Sequence, residues 1–184
     1  MGIPTLIKTL TASDSASLAF VDGASDVILD STYDEYMFVF TDIGPATDNV
    51  NFTFQVNATD DAGGGYDTSV ITSSTFQAYL SEGHAEALEY TDMDQAQAAG
   101  FQIIGRAVGN GSDESCAGIL HVFSPASTTY VKHFYARVHS YYYADMAHTL
   151  FTGGYINDTT AIDEIQFKMS SGNFDGVIQL YGIA

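Results

Sequence analysis

The stretch from Ala161 to Ile183 decides the fold, and it reads A-I-D-E-I-Q-F-K-M-S-S-G-N-F-D-G-V-I-Q-L-Y-G-I. Its middle, residues 170–176, is rich in Ser, Gly, Asn and Asp, which favour turns. On both sides of this turn segment apolar side chains occupy every second position: Ile165, Phe167, Met169, Ile178 and Leu180. Period-two alternation around turn residues predicts a closing β-hairpin with these apolar side chains in the core and Gln166, Lys168 and Gln179 outside.

Short apolar runs separated by turn residues continue through the rest of the chain. Tyr36 to Ile43 is apolar at both parities, which predicts a strand buried on two faces or lying at a subunit contact. Asn51 to Asn57 alternates sharply, so it predicts a strand with one core face and one solvent face. Asp60 to Asp67 contains three consecutive glycines and is expected to be a loop. Eight to ten strands are predicted in total.

This pattern predicts an all-β protein, an antiparallel β-sandwich of jelly-roll type. Residues 14–184 form the single sandwich domain, and residues 1–13 form an N-terminal arm or an edge strand. The least strand-like segment is Ser81 to Ala99, whose Ala, Glu and Gln residues favour helix. We expect it to be one long loop that carries at most a short helix.

The charge of the chain excludes two classes of partner. Only five residues are Lys or Arg against 23 Asp and Glu, giving a formal net charge of −18. Nucleic-acid binding needs a row of cations that displace counterions from phosphates, and five scattered cations do not form one. Attraction to an anionic membrane fails for the same reason. The sequence opens without the pattern of a secretory signal, so we expect synthesis in a cytoplasm.

No motif of an enzyme or of a cofactor site occurs in the sequence. The nucleophile elbow, the P-loop and the dinucleotide fingerprint are all missing. His133, Tyr135, Arg137 and His139 share one parity of a predicted strand, but the two histidines lie about 20 Å apart, too far for one metal ion. We expect this row to face solvent or another subunit. The acidic loops lack the calcium-loop pattern. From these missing motifs together we predict no catalytic residue, no cofactor and no metal.

Two groups of residues are candidates for intermolecular contact. The apolar residues of the N-terminal segment and of the two-sided strand predict an oligomer interface: Ile3, Leu6, Ile7, Tyr36 and Phe38. The run Tyr141, Tyr142 and Tyr143 must project to both faces of a strand, so at least one ring is exposed or lies at a contact. Tyrosine is enriched at interfaces, and aromatic platforms also stack on sugars.

Both ends of the sequence resemble virion proteins of tailed phages, especially marine phages. The resemblance lies in the opening Met1 to Leu10 with Ser17 to Asp22, and in the S-S-G-N turn followed by the terminal L-Y-G-I strand. It implies a jelly-roll sandwich of the capsid-decoration or fibre type. It also implies that the protein is located in the virion.

Three functions follow as alternatives. The first is a non-enzymatic virion structural protein that decorates the capsid or forms part of a head or tail fibre, assembled as a homo-oligomer, most simply a trimer, with other virion proteins as partners. The second is a carbohydrate-binding module that recognises a host surface glycan. The third is a glycan depolymerase, which requires clustered acids in a groove.

Overall fold

The described part of the chain is built from antiparallel β-strands joined by turns and loops. The computed structural model describes residues 2–60, 66 and 69–184, so most of the predicted loop at Asp60 to Asp67 lies outside the described residues. Strand accounts for 62 % of the described residues and these contain no helix, which confirms the all-β prediction. The strands are β1 (Thr5–Ser15), β2 (Leu18–Val21), β3 (Glu35–Pro45), β4 (Val50–Ala58), β5 (Ile71–Ser81), β6 (Glu86–Tyr90), β7 (Ala96–Ala98), β8 (Gln102–Val108), β9 (Cys116–Phe123), β10 (Lys132–Tyr142), β11 (Met146–Ile156), β12 (Ile162–Met169) and β13 (Phe174–Ile183).

The predicted helix in Ser81 to Ala99 is wrong. This segment instead holds the short strands β6 and β7, and both pair with β5. Helix propensity is a weak preference of a fraction of a kcal/mol per residue. The free edge of β5 offers backbone hydrogen bonds to the segment, and this pairing overrides the propensity of its Ala, Glu and Gln residues.

The strands form one sheet that almost closes on itself. One half has the order β1-β13-β3-β9-β10, and the other half has the order β8-β4-β12-β2. The two halves join through a single bridge between Tyr142 of β10 and Val108 of β8. At the opposite seam the consecutive strands β1 and β2 form the two edges.

The closing segment does not form the predicted hairpin. β12 pairs with β4 and β2, whereas β13 pairs with β1 and β3, so residues 170–173 cross from one half of the sheet to the other. The predicted inward parity is nevertheless confirmed, because Ile165, Phe167, Ile178 and Leu180 are fully buried. Gln166, Lys168 and Gln179 are only half-buried. Alternation fixes which face a side chain occupies, but not which strand lies beside it.

The core lies between the two halves and is centred on Phe167. Its ring lies 5.2 to 6.5 Å, centroid to centroid, from five other phenylalanine rings: Phe20, Phe38, Phe40, Phe52 and Phe54. These rings come from β2, β3 and β4, so a single side chain ties together strands from both halves. Edge-on and tilted aromatic pairs of this kind stabilise a core beyond the area that they bury.

Strands β10, β11 and β5 widen one half of the sheet into a broad face. Eleven residues of β10 pair with eleven of β11, and the same eleven residues of β11 pair with β5. The side of this half that points away from the core is called the outer face below. On it lie the alternate, partly exposed residues of β10, among them Tyr135 and Arg137.

Candidate interaction face and groove

Four adjacent strands of the outer face are free of acidic residues. β9, β10, β11 and β5 are neighbours in the sheet, and none of their residues is Asp or Glu. The chain as a whole has 23 such residues. The same strands carry Lys132, Arg137 and four of the five histidines. A region without negative charge in so acidic a protein indicates a surface meant for contact rather than for solubility.

A groove of about 490 Å³ lies in this acid-free region. Residues of four strands line it: Ser74, Phe76, Ile119, Tyr135, Ala136, Arg137, Phe151, Thr152 and Gly153. Gly153 lies opposite Tyr135 on β10 and Ser74 on β5. A Cβ added at Gly153 would meet no atom within 4 Å. The missing side chain of this glycine therefore leaves the hollow open.

Two aromatic stacks border the groove. The rings of Phe76 and Phe151 are nearly parallel, with centroids 4.6 Å apart and an interplanar angle of 6°. Tyr135 stacks on His121 of β9, with centroids 4.5 Å apart and an angle of 16°. His121 is held in turn by a contact of its Nδ1 with Glu35 Oε1. Each aromatic ring in the lining thus stacks on a neighbouring ring, and Phe76 and Tyr135 are 46 % and 44 % exposed.

Arg137 supplies the positive charge of the groove. It lies opposite Phe151 on β11 and Ile119 on β9, beside the hollow at Gly153. Within the described part of the chain, no side chain or backbone group forms a hydrogen bond or an ion pair with its guanidinium. The five N–H donors of an arginine form a rigid fork that matches a carboxylate. Arg137 therefore presents unused donors to a ligand.

The predicted row His133, Tyr135, Arg137 and His139 is exposed, as expected for a face turned to solvent or to another subunit. No group of three or more His, Cys, Asp or Glu suited to a metal ion occurs among the described residues. In the acidic loops, the Glu114 carboxylate accepts a hydrogen bond from the Gly111 amide, and Tyr90 donates to Asp94.

The residues predicted for an oligomer interface separate into two environments. Ile3 and Leu6 are 89 % and 50 % exposed, whereas Ile7 packs against the core. Tyr36 and Phe38 are completely buried in the core, so their side chains are unavailable to another chain. The reason is that only one parity of β3 points outward, and it carries Met37 and Val39 instead.

A continuous row of apolar side chains crosses the outer face near the edge strand β1. Leu6 lies opposite Tyr181 on β13, and Tyr181 lies opposite Met37 on β3. Val39 is the next outward residue of β3 and, like Met37 and Tyr181, is half-buried. We name Leu6, Met37, Val39 and Tyr181 the apolar patch.

Tyr141 and Tyr142 lie on opposite faces of β10, whereas Tyr143 follows the strand and packs its ring on that of Tyr142, with centroids 4.9 Å apart. Tyr141 donates its hydroxyl to Asp145 Oδ1 at 3.1 Å. Tyr142 packs its ring against His148, with centroids 5.5 Å apart, and Tyr143 is 42 % exposed. None of the three lines the groove. The sequence contained one signal for the groove, since Tyr135 and Arg137 share the outward parity, but nothing in it brings Phe76 and Phe151 beside them.

A buried polar cluster lies on the inner side of the same strands, around a cavity of about 200 Å³. Gln77 Oε1 accepts hydrogen bonds from Arg106 and from His148 Nε2, and Gln77 Nε2 donates to Glu89 Oε1 at 2.7 Å. His148 is 1 % exposed, and no group in the described part of the chain forms a hydrogen bond with its Nδ1. Burial, followed by the charges of Arg106 and His139, lowers the pKa of His148 to about 4.

Two further features bear on chemistry. Cys116, at the start of β9, is buried, and burial raises the pKa of its thiol to about 12. A thiol with so high a pKa is protonated at neutral pH and is a poor nucleophile. Across the described residues, no helix is long and apolar enough to cross a lipid bilayer.

Comparison with known proteins returns no similarity. No protein-family model matches the chain, nor does any curated protein or any solved structure. The function must therefore be argued from the strand order, the face and the groove.

Proposed function

We propose that the protein is a non-enzymatic structural protein of a tailed-phage particle. It is made in the host cytoplasm and resides in the virion, on the capsid or in a head or tail fibre. The observation that carries the proposal is the order of the strands, together with the resemblance of both ends of the sequence to phage virion proteins.

The strand order supports a jelly roll. When strands β5–β7 and β10–β11 are set aside as insertions, eight strands remain: β1, β2, β3, β4, β8, β9, β12 and β13. These strands are numbered one to eight in this order. One half then has the order 1-8-3-6 and the other has the order 2-7-4-5. This is the pairing of a jelly roll, which consists of two Greek keys and is common among viral capsid domains. Since folds host many functions, the strand order supports the proposal together with the resemblance of both ends of the sequence.

The apolar patch supports assembly into a homo-oligomer. Leu6 and the neighbouring Ile3 are large apolar side chains in contact with water. The patch adjoins β1, whose other edge has no partner strand in the described part of the sheet. Two chains of charge −18 repel each other, so a stable contact needs a surface without carboxylates, and no member of the patch carries one. We propose a trimer in which each contact buries about 1,200 Å² or more.

Mass spectrometry of purified phage particles whose genome encodes this protein tests the proposed function. Peptides of the protein are expected in the particles, in a copy number that is a multiple of three. Hundreds of copies indicate capsid decoration and a few tens indicate a fibre or tail. Particles that lack the protein would contradict the proposal.

A second candidate function is recognition of a host glycan, and the groove favours it. Exposed aromatic rings around a concave site with a few polar groups are typical of small-ligand sites. The groove is lined by residues of β5, β9, β10 and β11, whereas the apolar patch lies on β1, β3 and β13, and the two adjoin where Ile119 pairs with Val39. A subunit contact centred on the edge strand β1 allows one protein to perform both functions. A glycan depolymerase is not favoured, because the groove lining includes no carboxylate to act as acid or nucleophile.

A further inference from the structure

We propose that the groove binds an acidic saccharide, with a sugar ring in the hollow at Gly153 and the sugar carboxylate on Arg137. The inference rests on the second candidate function, glycan recognition, and specifies the class of glycan. Three features of the groove carry it: the shape of the hollow, the fixed aromatic walls and the unpaired guanidinium.

The hollow has the size of a ligand rather than of a surface irregularity. Its volume of about 490 Å³ falls within the range of small-molecule sites, roughly 300–1,000 Å³. It exists because Gly153 lacks a side chain between Tyr135 and Ser74, on a face where the neighbouring outward residues are large. The backbone of Gly153 therefore forms a floor that a flat ring can approach closely.

The walls are arranged for a ring that has apolar C–H faces. The face of an aromatic ring carries partial negative charge, so the weakly positive C–H groups on one face of a pyranose pack against it favourably. Phe151 is held parallel to Phe76, and Tyr135 is held parallel to His121. Since each ring is already fixed by its neighbour, little side-chain entropy is lost when a ligand binds.

The charge of the groove selects an acid. Arg137 presents unused donors, and the nine residues that line the groove include no Asp or Glu. A neutral sugar needs neither the arginine donors nor a lining without carboxylates. A sugar carboxylate needs both, because the net charge of −18 repels anions, and an acid-free region with an arginine fork offsets this repulsion.

The occupant of the groove is a saccharide rather than a second copy of this chain. The hollow at Gly153 has the volume of a small ligand, which suits a sugar ring better than the surface of a folded chain. Large exposed apolar residues of a copy lie beside the apolar patch, at Ile3 and Leu6, and also on β5 and β6, at Phe76, Leu80 and Leu88. The groove and the apolar patch adjoin, because Ile119 of the groove pairs with Val39 of the patch. A copy whose contact is centred on the edge strand β1 leaves the groove open to a ligand.

Calorimetric titration with oligogalacturonate and with sialyllactose tests the inference, with the methyl esters of both as uncharged counterparts. The wild-type protein is expected to bind at least one acidic form five-fold or more tightly than its ester. Arg137→Gln is expected to abolish this preference, and Gly153→Leu, which fills the hollow, is expected to abolish binding of both forms. His139→Gln is the matched control, because His139 lies two residues from Arg137 on the same face but outside the groove.

Equal affinity for acid and ester would overturn the inference while leaving glycan recognition in place. Failure of the wild-type protein to bind either acid would overturn it as well, and so would an Arg137→Gln variant that binds as the wild type does. A thermal melt of each variant shows whether a loss of binding is a loss of folding. The oligomeric state is measured separately and does not depend on any of these results.

Discussion

His148 Nε2 lies 2.9 Å from Gln77 Oε1, while the other nitrogen of the same buried ring, Nδ1, has no hydrogen-bond partner among the described residues. Arg106 donates to the same Gln77 oxygen, so the imidazole shares an acceptor with a positive charge. A second positive charge on the ring would have no counterion within this contact. The arrangement therefore holds His148 in its neutral form and makes the fold sensitive to acid.

We predict that the stability of the fold falls between about pH 6.5 and about pH 4 because of His148. Burial, then Arg106 and His139, lowers its pKa to about 4, so in this window the unfolded chain binds more protons than the folded chain. The contribution is fully present above the unfolded pKa and is lost as the pH falls, for a total of about 3 kcal/mol.

Urea unfolding at several pH values measures this effect. The carboxylates of the chain add their own pH dependence, so the comparison is between the wild type and His148→Gln, which lacks the titrating ring. The variant is expected to lose less stability across the window. An identical pH dependence in the two proteins would show that His148 does not titrate as described.

Phe167→Ala is expected to lower the free energy of unfolding by about 3–5 kcal/mol, as large-to-small substitutions in packed cores do. Its ring contacts rings of β2, β3 and β4, so its removal leaves a cavity between the two halves of the sheet. Gln179→Ala is the control on the outward parity and is expected to change the stability by about 0.5 kcal/mol or less. If Gln179→Ala costs more than Phe167→Ala in denaturant unfolding, the assigned faces are wrong.

Two glycines, Gly118 and Gly153, are predicted to differ sharply in their tolerance of an added methyl group. A Cβ at Gly118 of β9 would lie 2.7 Å from the Cα of Val138 on β10, so Gly118→Ala must push these strands apart. We expect a loss of about 1–3 kcal/mol. Gly153→Ala meets no atom within 4 Å and is expected to fold normally. Equal melting temperatures for the two variants would contradict the close approach of β9 and β10.

Although Thr53 and Gln55 on the expected solvent face of β4 are buried, period-two alternation predicted the inward residues of the closing strands well. Phe167 and Leu180 illustrate this, since both were expected in the core and both are fully buried. The pattern carries no information on partners, and for this reason β12 and β13 were expected to pair although they lie in different halves. Pairing over more than a hundred residues is decided by the whole core.

The candidate site was only partly predictable, since it depends on this long-range pairing. Arg137 and Phe151 face each other through the β10–β11 register, and Phe76 joins them from a strand some sixty residues earlier in the chain. The prediction for the strand Tyr36 to Ile43 failed for another reason. Tyr36 and Phe38 were expected at an interface but point into the core, whereas Met37 and Val39 are the residues of this strand that reach the surface.

Light scattering tests the central claim, assembly through the apolar patch, most directly. At micromolar concentration the wild-type protein is expected to have three times the chain mass of 19.7 kDa. Met37→Glu places a charge in the patch and is expected to give monomers, whereas the control Ala147→Glu adds the same charge at an exposed position of β11 and is expected to leave the trimer intact. A wild-type protein that is a monodisperse monomer, or a Met37→Glu variant that is as fully trimeric as the wild type, would contradict the account.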